Sequence, residues 1–163
     1  MRLVKSGLIA IVTGVVAAFS TVSSASDEYR LSAFADVTGY AQIKSNNIEE
    51  AKAFILARSG KKMDFLELNN LCVLDLLVAD FSSAVEICET ALSKSTSTRG
   101  IGFAAKKKVA ASIHSNLAVA KALSGDLDGA EIELEMALSL NSLDRNAKAN
   151  LEWLANSVLI AGL

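Results

Sequence analysis

"NNLCVLDLLVADFSSAVEICETALS", residues 69–93, decides the fold when it is set against "SNLAVAKALSGDLDGAEIELEMALS", residues 115–139. Asn70-Leu71 aligns with Asn116-Leu117, and Ala79-Asp80-Phe81 with Gly125-Asp126-Leu127. Ala84 aligns with Ala130, and Ala91-Leu92-Ser93 with Ala137-Leu138-Ser139. Apolar residues recur at three- and four-residue spacing on both sides of a short polar break, the period of two amphipathic helices joined by a turn. Ser82 and either Asp126 or Asp128 have the oxygen acceptors that suit the start of a second helix. Small residues at Ala118, Ala130 and Ala137 allow two antiparallel helices to approach closely.

At these residues the chain resembles the tetratricopeptide repeat family. The family pattern places a leucine and a small residue in a first helix, then an alanine with an aromatic four residues later in a second, a slot held here by Leu134 and Cys88. Leu117-Ala118 with Ala130, Leu134 and Ala137 follows it in one copy; Leu71-Cys72 with Ala84, Cys88 and Ala91 follows it in the other. The first-helix slot that is usually aromatic holds Asp75 and Lys121. A weaker copy lies upstream, with Gly39 in the small slot, Asn46-Asn47-Ile48 as the turn and Ala51 in the second helix. Downstream, Asn150-Leu151 repeats Asn116-Leu117 after 34 residues and opens a closing helix. The resemblance implies an all-α fold of antiparallel helical-hairpin repeats, an α-solenoid with about three hairpins at 32–60, 65–98 and 111–143 and a capping helix at 145–160. Ala84 and Ala130 are 46 residues apart, 12 more than one repeat, so an insertion falls within 94–112. Ser95–Gly102 has loop composition, and an overlong first helix follows. Its Lys106, Lys107 and Lys108 read as a solvated face or as a patch for an acidic partner.

Cys72 and Cys88 each stand eight residues from Asp80. Residues equidistant from the turn of a helical hairpin face one another, and Cys72 occupies the slot of closest approach. A disulfide staple suits that crossing; two thiols packed as small hydrophobes are the alternative. A metal site would need more ligands than the single histidine, His114, supplies.

The chain opens "MRLVKSGLIAIVTGVVAAFSTVSSASDEYR". Arg2 and Lys5 precede an apolar run from about Gly7 to Phe19, and small residues at Ser23 and Ala25 follow. This is the order of a cleavable bacterial signal peptide spanning 1–25, with a retained anchor as the alternative. Cleavage directs the chain to the periplasm or outside the cell. It leaves one domain, 26–163, with 14 basic and 18 acidic residues. A net charge of −4 disfavours nucleic acid as a partner, and no later run is long enough to span a membrane.

No motif supports an enzyme, and no cofactor is expected. His114 lacks a nucleophile or acid placed by motif, and "RGIGFAAKKK" lacks phosphate-loop spacing. The resemblance implies instead a protein–protein interaction module whose inner surface, lined by first helices, takes a peptide or partner protein. Carried over, that surface comprises Asp36, Tyr40, Ile43, Leu66, Asn69, Val73, Leu76, Ser112, Ser115, Val119, Leu123 and Trp153. Val73 and Val119, at matching places, are expected to point inward. Asn70 and Asn116 are read as hydrogen-bonding within their repeats, with ligand contact as the alternative. The runner-up function is a structural subunit that forms a homodimer through the apolar end of the last helix, at Leu159, Ile160 and Leu163.

Overall fold

A computed structural model of the chain describes residues 28–35, 37–57, 63–98 and 100–161, with side chains up to 159. The signal segment, Asp36, Leu163 and the Ile160 side chain lie outside the described residues. Among the described residues seven helices follow in order: α1 (Tyr40–Lys44), α2 (Ile48–Ala57), α3 (Phe65–Leu77), α4 (Phe81–Ser97), α5 (Phe103–Leu123), α6 (Leu127–Leu140) and α7 (Arg145–Ala161). No strand occurs among the described residues. The fold is all-α, built from three helical hairpins, α1–α2, α3–α4 and α5–α6, with α7 closing the array against α5 and α6.

The three hairpin turns use one backbone device. The second residue past each first helix adopts a left-handed conformation: Asn46 (φ 57°), Ala79 (φ 59°) and Gly125 (φ 96°). The next amide then reaches back five residues, from Asn47 to the Gln42 carbonyl, Asp80 to Asp75 and Asp126 to Lys121, at 2.8, 2.8 and 2.9 Å. These bonds satisfy carbonyls that a helix end leaves without partners. The second helix is capped at once. Asp80 accepts from the Ser83 amide and Asp126 from the Gly129 amide. Asp80, not Ser82, therefore caps α4, because the turn puts the carboxylate rather than the exposed hydroxyl over the free amides. At the head of α3, Asp64 accepts from the Leu66 and Glu67 amides while Glu67 accepts from the Asp64 amide, a reciprocal capping box.

Small residues set the hairpin spacing. Ala51, Ala84, Ala91, Ala130 and Ala137 are fully buried, and larger apolar residues interlock around them. The core runs along the array in three adjoining clusters. The first hairpin meets α3 through Ala51, Ile55, Leu71 and Leu74. The central cluster joins α3, α4 and α5. Ala118, Leu134 and Leu154 join α5, α6 and α7. Cys72 and Cys88 sit in the central cluster, fully buried and disulfide-bonded, with Cα atoms 5.5 Å apart.

Polar residues in the aromatic slot tie helices together. Asp75 on α3 is 1% exposed, yet its carboxylate meets Lys52 Nζ of α2 at 2.7 Å and the Ser83 hydroxyl of α4 at 2.7 Å. Lys121 on α5 pairs with Glu133 on α6 at 2.7 Å. The insertion lengthens α4 and α5 beyond their counterparts α6 and α3. The loop between them is held by Lys106, which donates to the carbonyls of Thr96 and Thr98. Lys107 lies over the Phe103 ring, 4.9 Å from its centre.

The first hairpin is shorter than the repeat alignment implies. α1 has only five residues, and residues 29–34 are not helical. They run as an extended strap across the array.

Candidate functional site

The strap alternates side chains as Tyr29-Arg30-Leu31-Ser32-Ala33, the period-two pattern of an extended chain. In such a chain, every second residue turns both its N–H and its C=O to the same edge. Three asparagines use that geometry. Asn150 on α7 accepts from the Arg30 amide at 2.6 Å and donates to the Arg30 carbonyl at 2.8 Å. Asn116 on α5 accepts from the Ser32 amide and donates to the Ser32 carbonyl, both at 2.9 Å. Asn70 on α3 accepts from the Phe34 amide at 2.8 Å and donates to the Phe34 carbonyl at 3.1 Å. A carboxamide has an acceptor oxygen and two donor hydrogens, so each asparagine serves the strap as a neighbouring strand would.

These are the three asparagines that align in the sequence. They face the same strap because equivalent positions on successive first helices point the same way. Alternate residues of an extended chain are about 6.5 Å apart, whereas packed helix axes stand about 8–10 Å apart. The clamped carboxamides therefore stand closer together than the helix axes that carry them.

Neighbours hold the clamps in place. Asn116 Nδ2 also donates to Asn69 Oδ1 at 2.8 Å, and Asn69 donates to the Ser32 carbonyl at 2.8 Å. Asn150 also donates to the Ser115 hydroxyl at 3.0 Å. Asn146, one turn before Asn150, donates to the Ser32 hydroxyl at 2.8 Å. Asn69, Asn70, Asn116 and Asn150 are all fully buried, and no buried side-chain polar atom among the described residues lacks a partner. Tyr29, Leu31 and Phe34 pack against the central core cluster. The Tyr29 ring meets Trp153 edge-on, with centroids 5.4 Å apart.

Of the residues expected to line the groove, Asn69, Ser115 and Trp153 meet in this clamp. Val73, Leu76 and Val119 are buried, at most 2% exposed, and Leu76 and Val119 belong to the central cluster. Leu66 and Leu123 pack on that cluster half-buried, and Ile43 packs on the first hairpin's core. Tyr40 opens α1, and the Ser112 hydroxyl donates to Asp144 at 3.5 Å. Asn70 bonds to Phe34 and Thr38 and Asn116 to Ser32 and Asn69, all outside their own repeats, and Asn146 and Asn150 complete the set. The signal that finds Asn150 is the asparagine recurring at the repeat interval; Asn146 has Ser112 one repeat earlier and carries no such signal.

His114 is drawn into an ion cluster. Its Nδ1 lies 2.6 Å from Glu133, whose other oxygen meets Lys121. Burial pushes the Glu133 carboxyl up, but bonds from His114 and Lys121 outweigh it and hold its pKa below the ordinary value. No cluster of three or more His, Cys, Asp or Glu side chains among the described residues could hold a metal ion. No helix there is long and apolar enough to cross a membrane.

The arrangement grips an extended main chain without reading its sequence through the clamped atoms. Comparison with protein-family models, with curated proteins and with solved structures finds no match to this chain.

Proposed function

We propose that the chain is a non-enzymatic interaction module of the tetratricopeptide-repeat kind, which binds an extended segment of a partner protein along the strap groove. The observation that carries this reading is the row Asn70, Asn116 and Asn150, each making paired hydrogen bonds to the main chain of an extended segment. Recognition through main-chain bonds, with side chains in flanking pockets, is the physics of strand addition. The buried disulfide supports an oxidising compartment. Together with the sequence's charged, apolar and small-residue opening, it supports the bacterial periplasm or cell exterior.

The test is a panel of unstructured peptides titrated against the full chain and against Asn70→Ala, Asn116→Ala and Asn150→Ala combined. Binding should vanish in the triple variant while helical content is retained. Binding that survives would put the interface elsewhere.

A second reading, a subunit that pairs through its last helix, is favoured by an apolar groove of about 520 Å3 between α6 and α7. Leu127, Leu151, Leu154 and Val158 line it, beside Leu159, which is 75% exposed. Solution mass with and without residues 157–163 tests it: a monomer in both cases rejects it.

A further inference from the structure

We propose that residues 29–34 are an internal ligand that a partner displaces, and that the partner's segment has the same chemistry. That chemistry is an aromatic, any residue, an aliphatic, a small hydroxyl residue, a small or tolerant position, and an aromatic. The inference rests on reading the groove as a peptide site.

The pattern follows from the contacts. The clamped atoms are main-chain atoms, so any extended chain satisfies them. Selectivity comes from the side chains. Tyr29 lies edge-on to Trp153, and Leu31 and Phe34 lie against the central cluster. The Ser32 hydroxyl accepts from Asn146, which a bare methyl could not do. Arg30 is exposed and contributes no such preference.

Displacement follows from the kind of bond that holds the strap. Its main-chain partners are side chains; among the described residues, none of its amides pairs with another main chain. A groove lined with carboxamides can be opened because water takes over their hydrogen bonds. The apolar cost of opening is confined to the contacts of Tyr29, Leu31 and Phe34 with the central cluster. A segment held this way opens at a lower free energy than the helices beneath it. Its covalent attachment gives it an effective concentration on the order of millimolar, so an incoming segment competes against that figure.

The experiment uses a fluorescent peptide with the sequence of residues 27–36 and a scrambled peptide of the same composition. Both are titrated by anisotropy against the full chain and against Ser32→Pro. The substitution removes the amide that Asn116 accepts from and the hydroxyl that Asn146 reaches, while leaving α3, α5 and α7 unaltered. The native-sequence peptide should bind Ser32→Pro at least about tenfold more tightly than the wild type. It should also bind more tightly than the scrambled peptide, and adding Asn116→Ala should abolish binding. Equal binding to wild type and Ser32→Pro, or equal binding of the two peptides, overturns the inference but leaves the groove a peptide site. If Ser32→Pro binds no peptide of any sequence, the peptide-site reading falls as well.

Amide exchange on the unaltered chain gives an independent check that needs no variant. The Ser32 and Phe34 amides should exchange roughly 100-fold faster than the Val119 amide in α5. Exchange at the same rate as Val119 would show a permanent strap and overturn the inference.

Discussion

Reducing the Cys72–Cys88 disulfide perturbs the α3–α4 hairpin without changing its amino-acid sequence. The bond spans a sequence separation of 16. Closing a loop of that length removes unfolded-state entropy worth about 3 kcal/mol in the chain-entropy model. For a domain of this size, each kcal/mol moves the melting temperature by roughly 3–5 °C, so reduction should lower it by about 9–15 °C. The helical signal at low temperature should persist, because Ala84, Ala91, Leu68 and Leu76 still bury the hairpin's apolar faces. The assay is thermal melting followed by far-ultraviolet dichroism, comparing oxidised protein with protein reduced while unfolded and then refolded under reductant. Both sulfurs are sealed from solvent, so reductant added to the native protein should act only as fast as the hairpin opens. Two free thiols in denatured, unreduced protein would refute the reasoning. So would a melting shift below about 2 °C, which would mean that the loop is already constrained in the unfolded chain.

Other perturbations test other parts of the fold. Lys52→Met leaves the buried Asp75 carboxylate with the Ser83 hydroxyl and should cost about 2 kcal/mol in urea unfolding, less than a fully buried pair because Lys52 is partly solvated. Adding Asp75→Asn should recover part of that loss; no recovery would mean that the charge itself is not the cause. Ala79→Gly relieves a left-handed alanine at the second turn and should stabilise by about 1 kcal/mol, whereas Gly125→Ala should destabilise by a similar amount. Because the Glu133 pKa is lowered in the folded chain, its contribution is complete above the ordinary carboxylate value near 4.5 and is lost as pH falls through the lowered folded value. Glu133→Gln should therefore flatten the acid limb of the stability–pH curve, and an unchanged limb would assign it to other groups. At Gly39 a Cβ would come within 2.5 Å of the buried Ile55 side chain, on a backbone with φ 87°. Gly39→Ala should thus cost roughly 2 kcal/mol and speed amide exchange in α2.

The hairpins were legible because their signals are local and repeated. Ala84 and Ala130 mark second helices by size alone, and Asp80 and Asp126 mark turns by their neighbours. The staple was legible for the same reason, since distance from a turn translates directly into position across a hairpin. The strap was not legible in this way. Tyr29 to Phe34 is too short a run to declare itself against a helical background, and its partners lie up to 120 residues away. Val73 and Val119 show a related limit: a repeat alignment fixes which residues are equivalent, but burial depends on what lies over them. The aligned asparagines held the missing information. An amide side chain recurring at the repeat interval has no packing reason to recur, so a shared polar partner is the economical explanation.

The direction of the strap bears on the order in which the molecule can be completed. Arg30 is clamped by Asn150 in the last helix, Ser32 by Asn116 and Phe34 by Asn70, so the strap that precedes α1 is anchored as far along as α7. During synthesis the strap emerges before any of the seven helices, yet its farthest anchor lies in α7. Each hairpin can form from its own residues as it appears, but the full set of clamps cannot form until α7 exists. A chain broken off before Asn150 would lack the clamp on Arg30. Closure of the strap thus requires α3, α5 and α7 together, each presenting its asparagine in register.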